Sequence, residues 1–148
     1  MALPDVVRAS FQRSIDLYDE LIAELPEGAL AMKLPGIPSN SIGHQLWCVV
    51  GARESFSRAI HAGVWSGFSC SLTSEGSRDK VAVQRALSTS ADALLAALGE
   101  MESHNDDQNR FVADLLEHEA AHHGQLIRYL YGLKLPIPGR WKAKYALD

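Results

Sequence analysis

Cysteine and positive charge are both scarce in this chain of 148 residues: Cys48 and Cys70 are the only thiols, and 14 Lys and Arg stand against 18 Asp and Glu, for a formal charge of -4. Two cysteines, one in an apolar helical stretch and one in a Gly- and Ser-rich segment, make neither a CxxC motif nor a disulfide framework, so reduced thiols and a cytoplasmic protein are expected. Without a basic excess there is no field to hold a polyanion along a broad face, and nucleic acid is not an expected partner. No run of eighteen apolar residues is present and Met1-Ala2-Leu3-Pro4-Asp5 has no basic stretch leading into an apolar one, so neither a membrane span nor a secretory signal is expected. Alternating strand patterns, internal repeats and low-complexity tracts are missing too.

What remains is ordinary globular material. Hydrophobic residues make up 47% and charged residues 22%, and the length suits one domain over residues 1–148. Val7, Phe11, Ile15, Tyr18, Leu21, Ile22 and Leu25 recur at spacings of three and four, which predicts a helix over residues 4–25 ending at Pro26-Glu27-Gly28. A loop carrying Pro35, Gly36 and Pro38 follows. A second helix is predicted from a cap among Ser39, Asn40 and Ser41 to His61, closed by Gly63. The Gly- and Ser-rich stretch 63–78 is long enough to cross the length of a bundle. A third helix is expected over 79–101 and a fourth over 107–133, after which Pro136-Ile137-Pro138-Gly139 cannot continue it. Four amphipathic helices in one small domain predict an all-α four-helix bundle.

The sharpest local feature is the run His118-Glu119-Ala120-Ala121-His122-His123-Gly124-Gln125. His118 and His122 stand four apart, which on a helix puts two imidazoles one above the other, within reach of a single ion. Phe111, Leu115, Leu126 and Tyr129 share their strip, so the pair faces the interior or its rim. Two readings follow: a pair of hydrogen-bonded core histidines, or half of a metal site. His123 lies about 100° round the helix from His122, and is worse placed to share an ion with His118. The spacing also matches the two histidines of HExxH peptidases, whose chemistry needs a further ligand and a cleft. A metal site needs a third ligand, and His44, early in the second helix, is the candidate.

These residues carry a family resemblance. Asn40-Ser41-Ile42-Gly43-His44 before a Trp-containing helix, the His118 to Gln125 segment, and the Pro136 to Tyr145 tail with Trp141 resemble the DinB/YfiT-like superfamily of metal-dependent bundles. The resemblance implies an up-down-down-up bundle with a long crossover between helices two and three, pairing into a homodimer. It implies His44, His118 and His122 as ligands of one divalent metal ion, zinc or nickel foremost, with Gln125, His123, Glu119 and Cys48 around them. The chain departs from the common HxxHHxGQ form, with Ala121 where a His is frequent and His123 in a slot usually held by Arg or another polar residue. Three imidazoles leave coordination positions open, the arrangement of a reactive rather than a structural ion. The relatives with a defined activity imply a thiol-dependent transferase or isomerase, using a low-molecular-weight thiol and a small-molecule substrate, with hydrolysis by activated water as a variant. The competing expectation is a non-catalytic helical module that binds a small molecule or a protein.

Other residues are expected to serve structure. Cys48, one turn after His44, reads as a small buried thiol. Arg53 and Glu54 read as surface or interhelical partners. Arg140, Lys142 and Lys144 read as a solvated tail held by Trp141 and Tyr145. Ser14 and Ser55 have no adjacent base in the sequence.

Overall fold

A computed structural model describes all residues, 1–148, as an all-helical chain of five α-helices with no strand, only one isolated bridge between Lys33 and Ser41. Helix α1, Leu3–Glu24, opens with Pro4 in its first turn, where a missing N–H costs nothing, and buries Phe11, Ile15, Tyr18, Leu21 and Ile22 on one face. It stops before Pro26, one residue short of the predicted end.

Helix α2, Ile42–Ala62, starts where Ser41 Oγ accepts the His44 amide at 3.1 Å, so Ser41 is the cap among the three candidates. Gly63 ends it with φ of 75°, a left-handed value that glycine takes without strain. Gly43 in its first turn is required for a different reason. A Cβ there would fall on the Ser77 carbonyl oxygen, with the Leu30 carbonyl oxygen 2.9 Å away, so two incoming loops reach α2 only because no side chain intervenes.

Helix α3, Lys80–Ala97, is capped by Asp79, whose carboxylate accepts the Val81 and Ala82 amides. It ends about one turn before the predicted boundary: Leu98 closes it, Gly99 follows, and Met101–Ser103 form a separate 3-10 turn. Helix α4, Asp106–Gly132, begins with a reciprocal box in which Asn105 Oδ1 accepts the Gln108 amide and Gln108 Oε1 accepts the Asn105 amide, each at 2.9 Å. The stretch 136–139 does end α4, yet the chain turns helical again as α5, Gly139–Tyr145, which places Trp141 wholly inside.

Helix α2 packs along both α3 and α4, while α1 lies against α3, α4 and α5. The main apolar cluster joins Tyr18, Leu21, Ile42, Leu46, Leu126 and Trp141, and a smaller one at the other end joins Phe11, Ile60, Leu94 and Leu115. Each fully buried large side chain contributes about 1.5–3 kcal/mol. No helix is long and apolar enough to cross a membrane.

Candidate functional site

His118 and His122 meet on one strip of α4, with Nε2 atoms 3.2 Å apart and ring centroids 4.5 Å apart. His122 is buried and His118 half-buried. Burial pushes the His122 imidazole down to about 4, and the charge of His118 adds to the shift. His118 is lowered by burial as well, so both rings are neutral near pH 7.

A neutral imidazole has one donor and one acceptor nitrogen, and the partners decide which is which. His122 Nδ1 lies 2.5 Å from Gln45 Oε1, an acceptor, so Nδ1 carries the proton and Nε2 keeps its lone pair toward His118. Gln45 is held in that orientation because its Nε2 donates to Asn40 Oδ1 at 2.8 Å, and the Tyr129 hydroxyl donates to the same oxygen at 2.7 Å. A polar chain from α4 through the 34–40 segment and α2 thus fixes the His122 tautomer. Nδ1 of His118 is buried without a partner.

Two nitrogens each about 2.1 Å from one ion sit roughly 3–3.5 Å apart at tetrahedral or octahedral angles, and the observed 3.2 Å fits two such positions. His44 stands apart from the pair. Its exposed ring stacks on Trp47 with centroids 5.0 Å apart, near enough for its charge to lower His122 further. No three His, Cys, Asp or Glu side chains are gathered within metal-binding reach.

The remaining expected neighbours divide. Gln125 is exposed and lines a cavity beside Gln45. Cys48 is half-buried, with its thiol raised by burial, and its charge would be felt at Cys70. Glu119 and His123 turn away from the pair into a second buried polar cluster. Glu119 Oε1 and Oε2 accept from Arg53 Nε and Nη2 at 2.6 and 3.1 Å, with both side chains removed from water. Burial alone would raise the Glu119 carboxyl, but the Arg53 guanidinium holds it below the usual range.

One set of roles satisfies every member of this cluster. Glu119 as a carboxylate only accepts, so the Ser14 hydroxyl donates to it. Ser14 Oγ then accepts from His123 Nε2 at 2.9 Å, and His123 Nδ1 accepts from the Tyr145 hydroxyl at 2.6 Å. Tyr18 donates to the Glu119 carbonyl at 2.9 Å, and the Arg53 guanidinium sits 5.2 Å from the Tyr18 ring centre. Ser14 therefore has the neighbouring histidine that the sequence did not place, but at 3% exposure its hydroxyl is closed to substrate.

Sequence reasoning did not place Gln45 beside the pair, and it read Asn40 only as a cap candidate and Tyr129 only as a neighbour on the strip, not as the residues that hold Gln45. A signal for Gln45 was present: it shares the apolar phase of Ile42, Leu46 and Val49, where an amide must find a buried partner. No protein-family profile, curated protein or solved structure matches the chain.

Proposed function

We propose that this chain is a metal-dependent enzyme of the DinB/YfiT-like kind, an up-down-down-up four-helix bundle that binds one divalent ion, zinc or nickel, through His118 and His122, with His44 as third ligand. The observation that carries the reading is the facing pair of Nε2 atoms at 3.2 Å, one of them held in the ligating tautomer by Gln45. The packing of α2 against both α3 and α4, and of α1 against α3 and α4, supports the bundle. His44 is exposed on the first turn of α2, with no hydrogen bond from its ring to hold it there.

The bound ion would lower the pKa of a coordinated thiol or water, giving a nucleophile for transfer or hydrolysis at neutral pH. The chain's own part is to keep both imidazoles neutral by burial, to orient His122 through Gln45, and to leave space at the 34–40 side for a small-molecule substrate. A low-molecular-weight thiol cosubstrate, a cytoplasmic setting and a homodimer belong to the same reading, supported by the family resemblance and by two unbridged cysteines. Titration of untagged, metal-stripped protein with Zn²⁺ or Ni²⁺ tests it: near-stoichiometric binding that His118→Ala abolishes is expected, and no binding by the unaltered chain overturns it.

A second reading is a non-catalytic module that binds a small molecule or a protein, its histidines serving packing. The stacking of His44 on Trp47, away from the pair, favours it. Silence toward electrophiles with bacillithiol, mycothiol and glutathione, in protein that binds metal normally, would select this reading.

A further inference from the structure

We propose that the cavity between the 34–40 segment and the C-terminal half of α4, about 800 Å³ in volume, binds a small monocarboxylate with an apolar body. The volume is that of a small-molecule site. Its charged lining is a single side chain, Arg128, in a chain whose net charge is -4. Arg128 is exposed and engaged in no ion pair. A guanidinium presents a planar fork that matches one carboxylate in two parallel hydrogen bonds, and Gln125, one turn before it, can add an amide donor. No second cation lines the cavity, so a phosphate dianion would be left half-compensated. A primary amine would face Arg128 with like charge.

The opposite wall sets the rest of the ligand. Leu34, Pro35, Ile37 and Pro38 line it, and Ile37 is 61% exposed. Such exposure of a large aliphatic side chain over a cavity is apolar surface available to a ligand. The wall is already built, because Leu34 N donates to Ser39 Oγ at 2.8 Å, Ile42 N donates to the Met32 carbonyl at 3.0 Å, and the one Tyr129 hydroxyl proton is shared between the Asn40 carbonyl at 2.5 Å and Asn40 Oδ1 at 2.7 Å. Leu34 packs so closely on Gly132 that a Cβ there would lie 2.7 Å from it. A preformed wall spares the ligand the cost of ordering a loop.

Gln45 lines this cavity and also bonds His122, so an occupied cavity is felt at the histidine pair. That the acid is the substrate of the proposed enzyme rests on the metal reading; its binding does not. The test is therefore made on metal-free protein in EDTA, by amide NMR titration with octanoate, octan-1-ol and octylamine. Octanoate is expected to bind tightest, with shifts confined to residues 34–45 and 122–132. Arg128→Gln is expected to weaken octanoate about tenfold or more while leaving octan-1-ol unchanged, and Arg128→Lys to fall between. Ile37→Asp should weaken acid and alcohol alike, and Arg140→Gln neither. Equal affinity for octanoate and octan-1-ol, an unaltered octanoate affinity in Arg128→Gln, or shifts centred elsewhere would each overturn the assignment.

Discussion

Arg53 on α2 and Glu119 on α4 form a two-pronged ion pair whose side chains are 0% and 1% exposed. Glu119 stands between the two histidines of the proposed site in sequence, yet it turns to the opposite side of the helix strip, toward Ser14 and α1. The ion pair thus ties α2, α4 and α1 together beneath the histidines. Breaking one member of such a pair leaves a buried charge uncompensated, at a cost of about 3–5 kcal/mol. Glu119→Gln is expected to lose stability on that scale in urea unfolding, and the double change Arg53→Met with Glu119→Leu to recover most of it. A loss under about 1 kcal/mol in Glu119→Gln would contradict the ion pair as drawn.

Gln45 sets the tautomer of His122, so removing its oxygen should free the ring. Gln45→Leu is expected to weaken Zn²⁺ binding about 10- to 100-fold, as loss of a partner to a ligating histidine does, while Gln45→Glu retains it. The readout is direct in ¹⁵N NMR of the metal-free protein: His122 should carry its proton on Nδ1 in the unaltered chain. A proton on Nε2 there would mean that the Asn40 and Gln45 amides point the other way.

Helix α5 is anchored by Trp141, which is fully buried and donates from Nε1 to the Leu17 carbonyl at 2.8 Å. Trp141→Ala is expected to cost about 3–5 kcal/mol. Tyr145→Phe, which removes only the donor to His123, should cost about 1 kcal/mol. Equal effects of the two changes would show that α5 is held by its end alone.

Acid should weaken the metal-free protein through its buried histidines, beginning above the ordinary carboxylate range. Burial sets both His122 and His123 at about 4 in the folded chain, whereas an unfolded imidazole titrates near 6.5. Between those values the unfolded chain binds more protons, so stability is full above about 6.5 and falls as the pH drops toward about 4. Glu119, whose carboxyl is lowered, adds its own loss as the pH falls through the ordinary carboxylate range and below it. Urea midpoints in EDTA should therefore decline between pH 6.5 and 5, and a flat profile there would refute buried neutral histidines.

The helices were legible because their apolar residues recur at three and four and their ends carry chemistry: Ser41, Gly63, Asp79 and Asn105 all act as caps or stops. The end of α3 was not, since Leu98 and Met101 are both buried and keep the apolar pattern running past the break at Gly99. The sequence shows α5 only as a tail because seven residues are too few for periodicity, and the helix is held in place by tertiary contacts of Trp141, Tyr145 and Arg140. In the site, the facing of His118 and His122 followed from spacing on one helix. The partners Gln45, Ser14 and Arg53 did not, because each pairing spans 66 or more positions and depends on how the helices meet. Their common mark was a polar residue on an apolar stripe, which signals a buried partner without naming it.

The central claim is that imidazoles from α4 and α2 converge on one ion. X-ray absorption at the zinc edge of the Zn²⁺-loaded, untagged protein tests it most directly. The account predicts imidazole scattering from three histidines at about 2.0–2.1 Å, falling to two in His44→Ala and lost with the ion in His118→Ala. A first shell without imidazole signature, or one that His44→Ala leaves unaltered, would contradict it.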